Sequence, residues 1–470
     1  MNMKDTKALI EDNSSNLSEY EKIELLRQIN DLEYVKKYVK EYIKDKGERL
    51  YSEDLADYIG LTRDTEYIKK WLNNKDSGLD EVENMKLLLS TKNKQFIQSY
   101  LEENKQNLSE YERNLIELNL NPNKVENRDC IRENLQLPGN MTIGIEIESE
   151  GQFSKLLPSE IKGWETKPEN TLYNGIEVVS PPLTSTKENV EQIYDVCDTL
   201  KGIGQTISQK CAAHVHIGAD YLKSKQSYIN LLEIVGNTED LIYIISNKPG
   251  ENLREGISEY SLPISKKLEA EFENNEVDLN DKNVEEFVEK LKNVQGNRFS
   301  GINFKNVNTE KNTIEFRTAN GTLDPDIWIQ NANLFGGIIK ASQELAEIQD
   351  KKREDLTEEE SIKIDNFKKL KSEGIDKKEK LDLLLSLTVK EKAPYVERYE
   401  VNKELIEDDF VIEETLQDAT LNKPLDIKKI GKAVFTGKDA VRGEEIKKME
   451  KEFYFDIEVL KGLNIDEIAI

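Results

Sequence analysis

The sequence predicts an α+β protein on three observations. Up to about residue 130, apolar positions recur at helical spacing amid dense Lys, Glu, Asn and Leu, as in Ile23, Leu25, Leu26 and Ile29. Past Leu137-Pro138-Gly139, β-branched residues alternate with polar ones, as in Thr142-Ile-Gly-Ile-Glu-Ile-Glu148. Between the alternating runs lie longer stretches of helical period. The chain therefore reads as a charged helical region over 1–135, a mixed domain over 136–402 and an extension over 403–470 that assigns no element.

In the helical region a short repeat stands out. Asn16-Leu-Ser-Glu-Tyr-Glu21 recurs as Asn107-Leu-Ser-Glu-Tyr-Glu112. Each copy contains Ser-x-x-Glu, a capping box that satisfies free amides at a helix start, so two similar helix caps are expected. The mixed domain predicts strands at Thr142–Glu148, Ile176–Ser180, Ala212–Gly218, Phe299–Phe304 and Thr313–Thr318. Helices are expected at about Lys187–Lys201, Ser224–Ser246 and Asp326–Glu347, the last with Asp324 as its cap. An acidic helical insertion falls at about 264–295, and charged helices follow Asp350 as far as about Asn402.

The 470 residues suffice for two to four domains and a sizeable core. At 37% hydrophobic and 34% charged, the composition suggests one well-packed core with polar helical additions. A net charge of −26 repels a phosphate backbone and argues against nucleic acid as a partner. Cys130, Cys197 and Cys211 form no Cys-x-x-Cys pair, as expected of free thiols in a reducing compartment. The start of the chain has no apolar signal core and no apolar run could span a bilayer, so a cytoplasmic protein without a membrane partner is expected.

The alternation carries chemistry. Side chains two apart on a strand share a face of the sheet. Glu146 and Glu148 therefore lie opposite Ile145 and Ile147, His214 and His216 opposite Val215 and Ile217, and Glu315 and Arg317 opposite Ile314 and Phe316. Glu177 joins them from a fourth strand. A solvated face of an antiparallel sheet would carry Lys, Thr and Ser with mixed charges; here the pairs are Glu/Glu, His/His and Glu/Arg, and the chain's two histidines sit together. Carboxylates with one or two imidazoles suit a hard divalent cation such as Mg²⁺ or Mn²⁺. Zinc is the rival, but there is no His-Glu-x-x-His motif and the carboxylates exceed what one zinc needs. Cys211, three residues before His214, points to the opposite, apolar face as a core thiol.

Five motifs occur in order: Gly144-Ile-Glu-Ile-Glu148, Gly175-Ile-Glu-Val-Val-Ser-Pro-Pro-Leu183, His214-Val-His-Ile-Gly218, Arg298-Phe-Ser-Gly-Ile-Asn-Phe304 and Thr313-Ile-Glu-Phe-Arg-Thr-Ala-Asn-Gly-Thr-Leu-Asp324. The series resembles the amidoligase family, a branch of the glutamine synthetase-like carboxylate–amine ligases. It runs from about Met141 to Ala346 and extends to Tyr395-Val-Glu-Arg-Tyr399, which resembles the family's closing helix. The resemblance implies an antiparallel sheet curved into a funnel, with helices on its outer face and ATP and two metal ions on its inner face. It further implies that Glu148 and Glu177 bind one ion, and Glu146, His214 and Glu315 the other. By the same resemblance Arg317 stabilises the transferring phosphoryl group and Arg298 holds a phosphate or the substrate carboxylate. His216 and Asn303 border the nucleotide. Arg254 and Tyr260 sit where relatives carry a segment over the substrate, on a looser match.

The expected activity is ATP-dependent joining of an amine to a carboxylate through an acyl phosphate, on small-molecule, amino-acid or peptide substrates. Two alternatives share the fold: a guanidino phosphotransferase, and an inactive ligase-like scaffold. The N-terminal helices are a candidate surface for a protein partner.

Overall fold

A computed structural model describes residues 3–12, 16–124, 135–264, 283–372 and 374–407. Cys130, most of the expected acidic insertion (265–282) and the extension from residue 408 lie outside the described residues. The helices before the sheet are α1 (Met3–Glu11), α2 (Glu19–Arg27), α3 (Leu32–Lys46), α4 (Ser52–Leu61), α5 (Thr65–Leu72), α6 (Glu81–Ser90), α7 (Lys94–Asn104) and α8 (Glu110–Leu120). Then come β1 (Ile143–Glu150), β2 (Glu160–Ile161), β3 (Trp164–Glu169), β4 (Gly175–Val179), α9 (Lys187–Gly202), β5 (Ala212–Gly218), α10 (Lys225–Ile245) and α11 (Ile257–Tyr260). The described chain ends with α12 (Val284–Gln295), β6 (Ile302–Asn303), β7 (Thr313–Asn320), α13 (Pro325–Ile348), α14 (Glu358–Leu370), α15 (Lys377–Thr388) and α16 (Ala393–Glu407). The class is α+β, with one seven-stranded antiparallel sheet in the order β2-β3-β4-β1-β5-β7-β6.

By its internal contacts the chain divides into two compact units. The first contains α1–α8, and its helix pairs repeat. First helices are capped at Ser18, Tyr51, Asp80 and Ser109, spaced 33, 29 and 29 residues apart. In the first three pairs the second helix is capped thirteen residues later, at Asp31, Asp64 and Asn93. Each of these three side chains accepts from the amide of an aromatic residue three positions on, Tyr34, Tyr67 or Phe96, at 3.1 Å. The next residue, Val35, Ile68 or Ile97, is buried each time. A second aromatic, Tyr38, Trp71 or Tyr100, packs one turn further on. The expected capping boxes at Ser18 and Ser109 both form, and they are the first and last members of this longer array. The first helices of consecutive pairs pack on one another, as in a solenoid.

The second unit holds the β1–β5–β7–β6 part of the sheet and α10 to α16. Its apolar face carries Ile145, Ile147, Val215, Ile217, Ile314 and Phe316, all essentially without exposure. Long helices α10 and α13 cover this face, with Phe316 stacked on Phe335 at 4.4 Å between ring centroids. Asp324 caps α13 ahead of Pro325, and Ser224 caps α10, which is where the sequence places both starts. Gly337 lets α13 approach α15: a Cβ there would lie 2.1 Å from the Thr388 carbonyl oxygen.

Two strands depart from expectation. The run Phe299–Phe304 contributes only Ile302 and Asn303, because Phe299 and Gly301 bond Leu262 in the preceding loop instead. The β2–β3 hairpin was not expected; its longer strand, Trp164-Glu-Thr-Lys-Pro-Glu169, is polar and contains a proline.

Candidate metal and anion site

Cross-strand register assembles the polar face row by row. Glu146 of β1 pairs with His214 of β5. One step along, Gly144, His216, Glu315 and Asn303 line up across β1, β5, β7 and β6. The β5–β7 ladder shifts register between Ala213 and Val215, where β7 carries one extra residue opposite His214. Gly144 leaves room for the base of the His216 side chain: a Cβ there would meet the His216 Cβ at 3.2 Å.

This face is not solvated. Glu146, Glu148, His214, His216, Glu315 and Arg317 are each at most 9% exposed. Burying charges is costly unless they are paired or coordinated, and the group pairs densely. His214 Nδ1 lies 3.1 Å from Glu146 Oε2 and 3.7 Å from Glu315 Oε1, while its Nε2 is 4.0 Å from Glu148 Oε1. His216 Nε2 lies 3.1 Å from Glu146 Oε1, and its Nδ1 is 3.0 Å from the Thr313 hydroxyl. Arg317 donates to Glu315 Oε1 and Asn303 to Glu315 Oε2, both at 2.6 Å. Asn303 is held in turn by Gln295 at 2.8 Å, a support that no motif announced. The Ala212 amide donates to Glu148 Oε2 at 2.7 Å, fixing one oxygen of that carboxylate.

Electrostatics keep Glu146 and Glu315 ionised. Burial opposes ionisation of Glu146, but His214 and His216 outweigh it and hold the carboxyl well below the ordinary range. For Glu315, burial is likewise overcome, by His214, Arg317 and His216 together, against the repulsion of Glu146. Arg254 is also buried, and among the described residues its Nε and one terminal nitrogen have no hydrogen-bond partner. Burial pushes its pKa down to about 10, reinforced by nearby Arg317 and opposed by Glu148. A buried guanidinium with free donors is suited to an anion.

Among the described residues, a group of side chains within the sheet unit could hold a metal ion: Glu146, His214 and Glu315 each offer a ligand atom within 4.8 Å of the others. The donor set fits a hard divalent ion, and among the described residues Nε2 of His214 is buried without a hydrogen bond, as a metal-facing nitrogen would be. Other expected residues fall elsewhere. Arg298 is exposed, with its guanidinium over the Phe299 ring at 5.6 Å. Tyr260 is 45% exposed, and its carbonyl accepts from Arg317 Nε at 3.3 Å. Cys211 is buried with its sulfur near the Ser208 amide, outside the carboxylate group. Arg398 of the expected closing helix is buried and donates to the Ile245 carbonyl at 2.7 Å.

Fold and site together define an α+β protein with a buried carboxylate–imidazole centre beside guanidinium groups. Residues 153–339 match the family described as "Putative amidoligase enzyme". The match supports a ligase-type enzyme. It contains His214, His216, Arg254, Glu315 and Arg317, whereas β1, with Glu146 and Glu148, precedes it and joins it through the β1–β5 ladder. No curated protein and no solved structure matches the chain. Among the described residues, no helix is long and apolar enough to cross a membrane.

Proposed function

We propose that this chain is an ATP-dependent carboxylate–amine ligase forming an amide or isopeptide bond through an acyl phosphate. The observation that carries the reading is the buried set of Glu146, His214 and Glu315, within metal-holding distance of one another and bonded to Arg317. In this reading that set holds one Mg²⁺ or Mn²⁺ ion, and Glu148 with Glu177 holds a second. Bound ions would neutralise phosphate charge, which is most of what phosphoryl transfer asks of a protein. Arg317 stabilises the charge developing on the transferring group, and the free donors of Arg254 hold a substrate carboxylate or phosphate. A carboxylate oxygen attacks the γ-phosphorus as its bond to the ADP oxygen breaks. The amine nitrogen then attacks the acyl carbon, the carbon–oxygen bond to phosphate breaks, and the nitrogen gives up a proton. His216 and Asn303 border the nucleotide, and Asn303 also fixes Glu315.

The test is to incubate the protein with ATP, Mg²⁺ and mixed amino acids or peptides, following ADP, phosphate and product mass. Amine-dependent release of ADP and phosphate, with a product lighter by one water than its two parents, is expected. A product heavier by a phosphoryl group would replace this reading with the guanidino phosphotransferase. No ADP release with any acceptor would remove it.

A further inference from the structure

The helical unit contains a groove of about 670 Å³, lined at matching positions of three successive helix pairs. Asn30, Arg63 and Lys92 each stand just before the cap of a second helix, and Arg27, Gly60 and Leu89 each stand three residues earlier. The groove thus follows the turns of the array. Its floor includes half-buried Leu61, Leu89, Leu156 and Leu157. Its charged lining is Arg27, Arg63, Lys86, Lys92 and Lys155 against a single acid, Asp57. Asp57 is already shared, at 3.0 Å from Arg27 and 2.7 Å from Lys86. Arg63, Lys92 and Lys155 are exposed and make no ion pair among the described residues.

In a chain of net charge −26, five cations around one groove are a local inversion. Two of them also occupy backbone positions that favour glycine: Arg63 has φ +48° and Lys92 φ +51°, directly after α4 and α6. A long cationic side chain recurs where glycine would be the strain-free choice. We propose that this groove binds an extended acidic segment of a partner protein, with apolar side chains against the leucines and carboxylates against Arg63, Lys92 and Lys155. Stacked repeats present such continuous surfaces. The apolar floor favours a peptide over nucleic acid, because polyanion binding needs charge alone. The proposal is independent of the ligase reading.

The test screens the full chain against a displayed library of random twelve-residue peptides, then measures the enriched peptides by fluorescence polarisation. Enriched sequences are expected to combine several Asp or Glu with Leu, Ile or Phe. Arg63→Gly/Lys92→Gly should weaken them at least tenfold while the melting temperature holds or rises, because glycine suits both backbone positions. The peptides should also outcompete a twelve-nucleotide single-stranded RNA. The proposal fails if nothing is enriched, if the enriched peptides are not acidic, or if the double variant binds within twofold of the parent. RNA binding as tightly as the peptides would assign the groove to nucleic acid instead.

Discussion

Carboxylates of the helical unit and those on the polar face of the sheet obey opposite rules. In the helical unit they sit at helix starts and rims: Glu21 and Glu112 close capping boxes, and Glu19, partly exposed, accepts from Tyr42 and Tyr58. Each bonds a nearby donor and supports the local backbone. In the sheet unit Glu146, Glu148 and Glu315 are buried together on one face, where for Glu146 and Glu315 desolvation is overcome only by His214, His216 and Arg317. The first arrangement serves the local backbone, and the second keeps charge out of water only through its histidine and arginine partners. Such a contrast marks a site more firmly than any single residue does.

The sharpest way to break the comparison is to neutralise the buried acids. Glu146→Gln or Glu315→Gln should lower ADP release by about 10³-fold and also lower the thermal midpoint, because the buried partners His214, His216 and Arg317 lose a carboxylate. A large fall in midpoint with activity retained would make these acids structural, like those of the helices. Next in size is a packing control away from the site. Gly337→Ala places a methyl against the Thr388 carbonyl and should cost about 3 kcal/mol in urea unfolding, with substrate affinity unchanged in the folded fraction.

The third prediction concerns ligand linkage. MnCl₂ at a hundred times its dissociation constant should stabilise the sheet unit by about 2.7 kcal/mol, measured by differential scanning fluorimetry, and Glu146→Gln should lose most of that gain. An equal shift in the variant would place the ion elsewhere. The smallest effect belongs to the helical unit. Burial raises the Glu19 pKa, but bonds from Tyr58, Tyr42 and Lys22 outweigh it and hold the carboxyl below its ordinary value. Its contribution is therefore present above the unfolded pKa of about 4.3 and is lost as pH falls through the lower folded value. Tyr58→Phe should flatten that acid limb by under about 1 kcal/mol, since Glu19 is partly screened by solvent.

Much of the sheet unit was legible because period two and chemical type agreed. In β1, β5 and β7 the alternation names both the apolar face and the polar one, and register then brings Glu146, His214, Glu315 and Arg317 together. The α10 and α13 starts were legible from Ser224 and Asp324, whose side chains do the capping. Other features left no such trace. The bulge in β7, the support of Asn303 by Gln295 and the free donors of Arg254 depend on tertiary placement. The helix-pair array was visible only at its ends. Its cap positions hold Ser, Tyr, Asp and Ser, and its spacing slips from 33 to 29, so only the two Asn-Leu-Ser-Glu-Tyr-Glu copies matched by eye.

Gly144 offers a handle on the two histidines that neither of them provides alone. Its missing side chain makes room for the His216 Cβ, and the ring carried on that carbon reaches Glu146 through Nε2. Adding one methyl at position 144 would press on the His216 Cβ and displace the ring it carries without altering its chemistry. The two imidazoles could then be uncoupled by geometry alone, through a residue that bears no functional group.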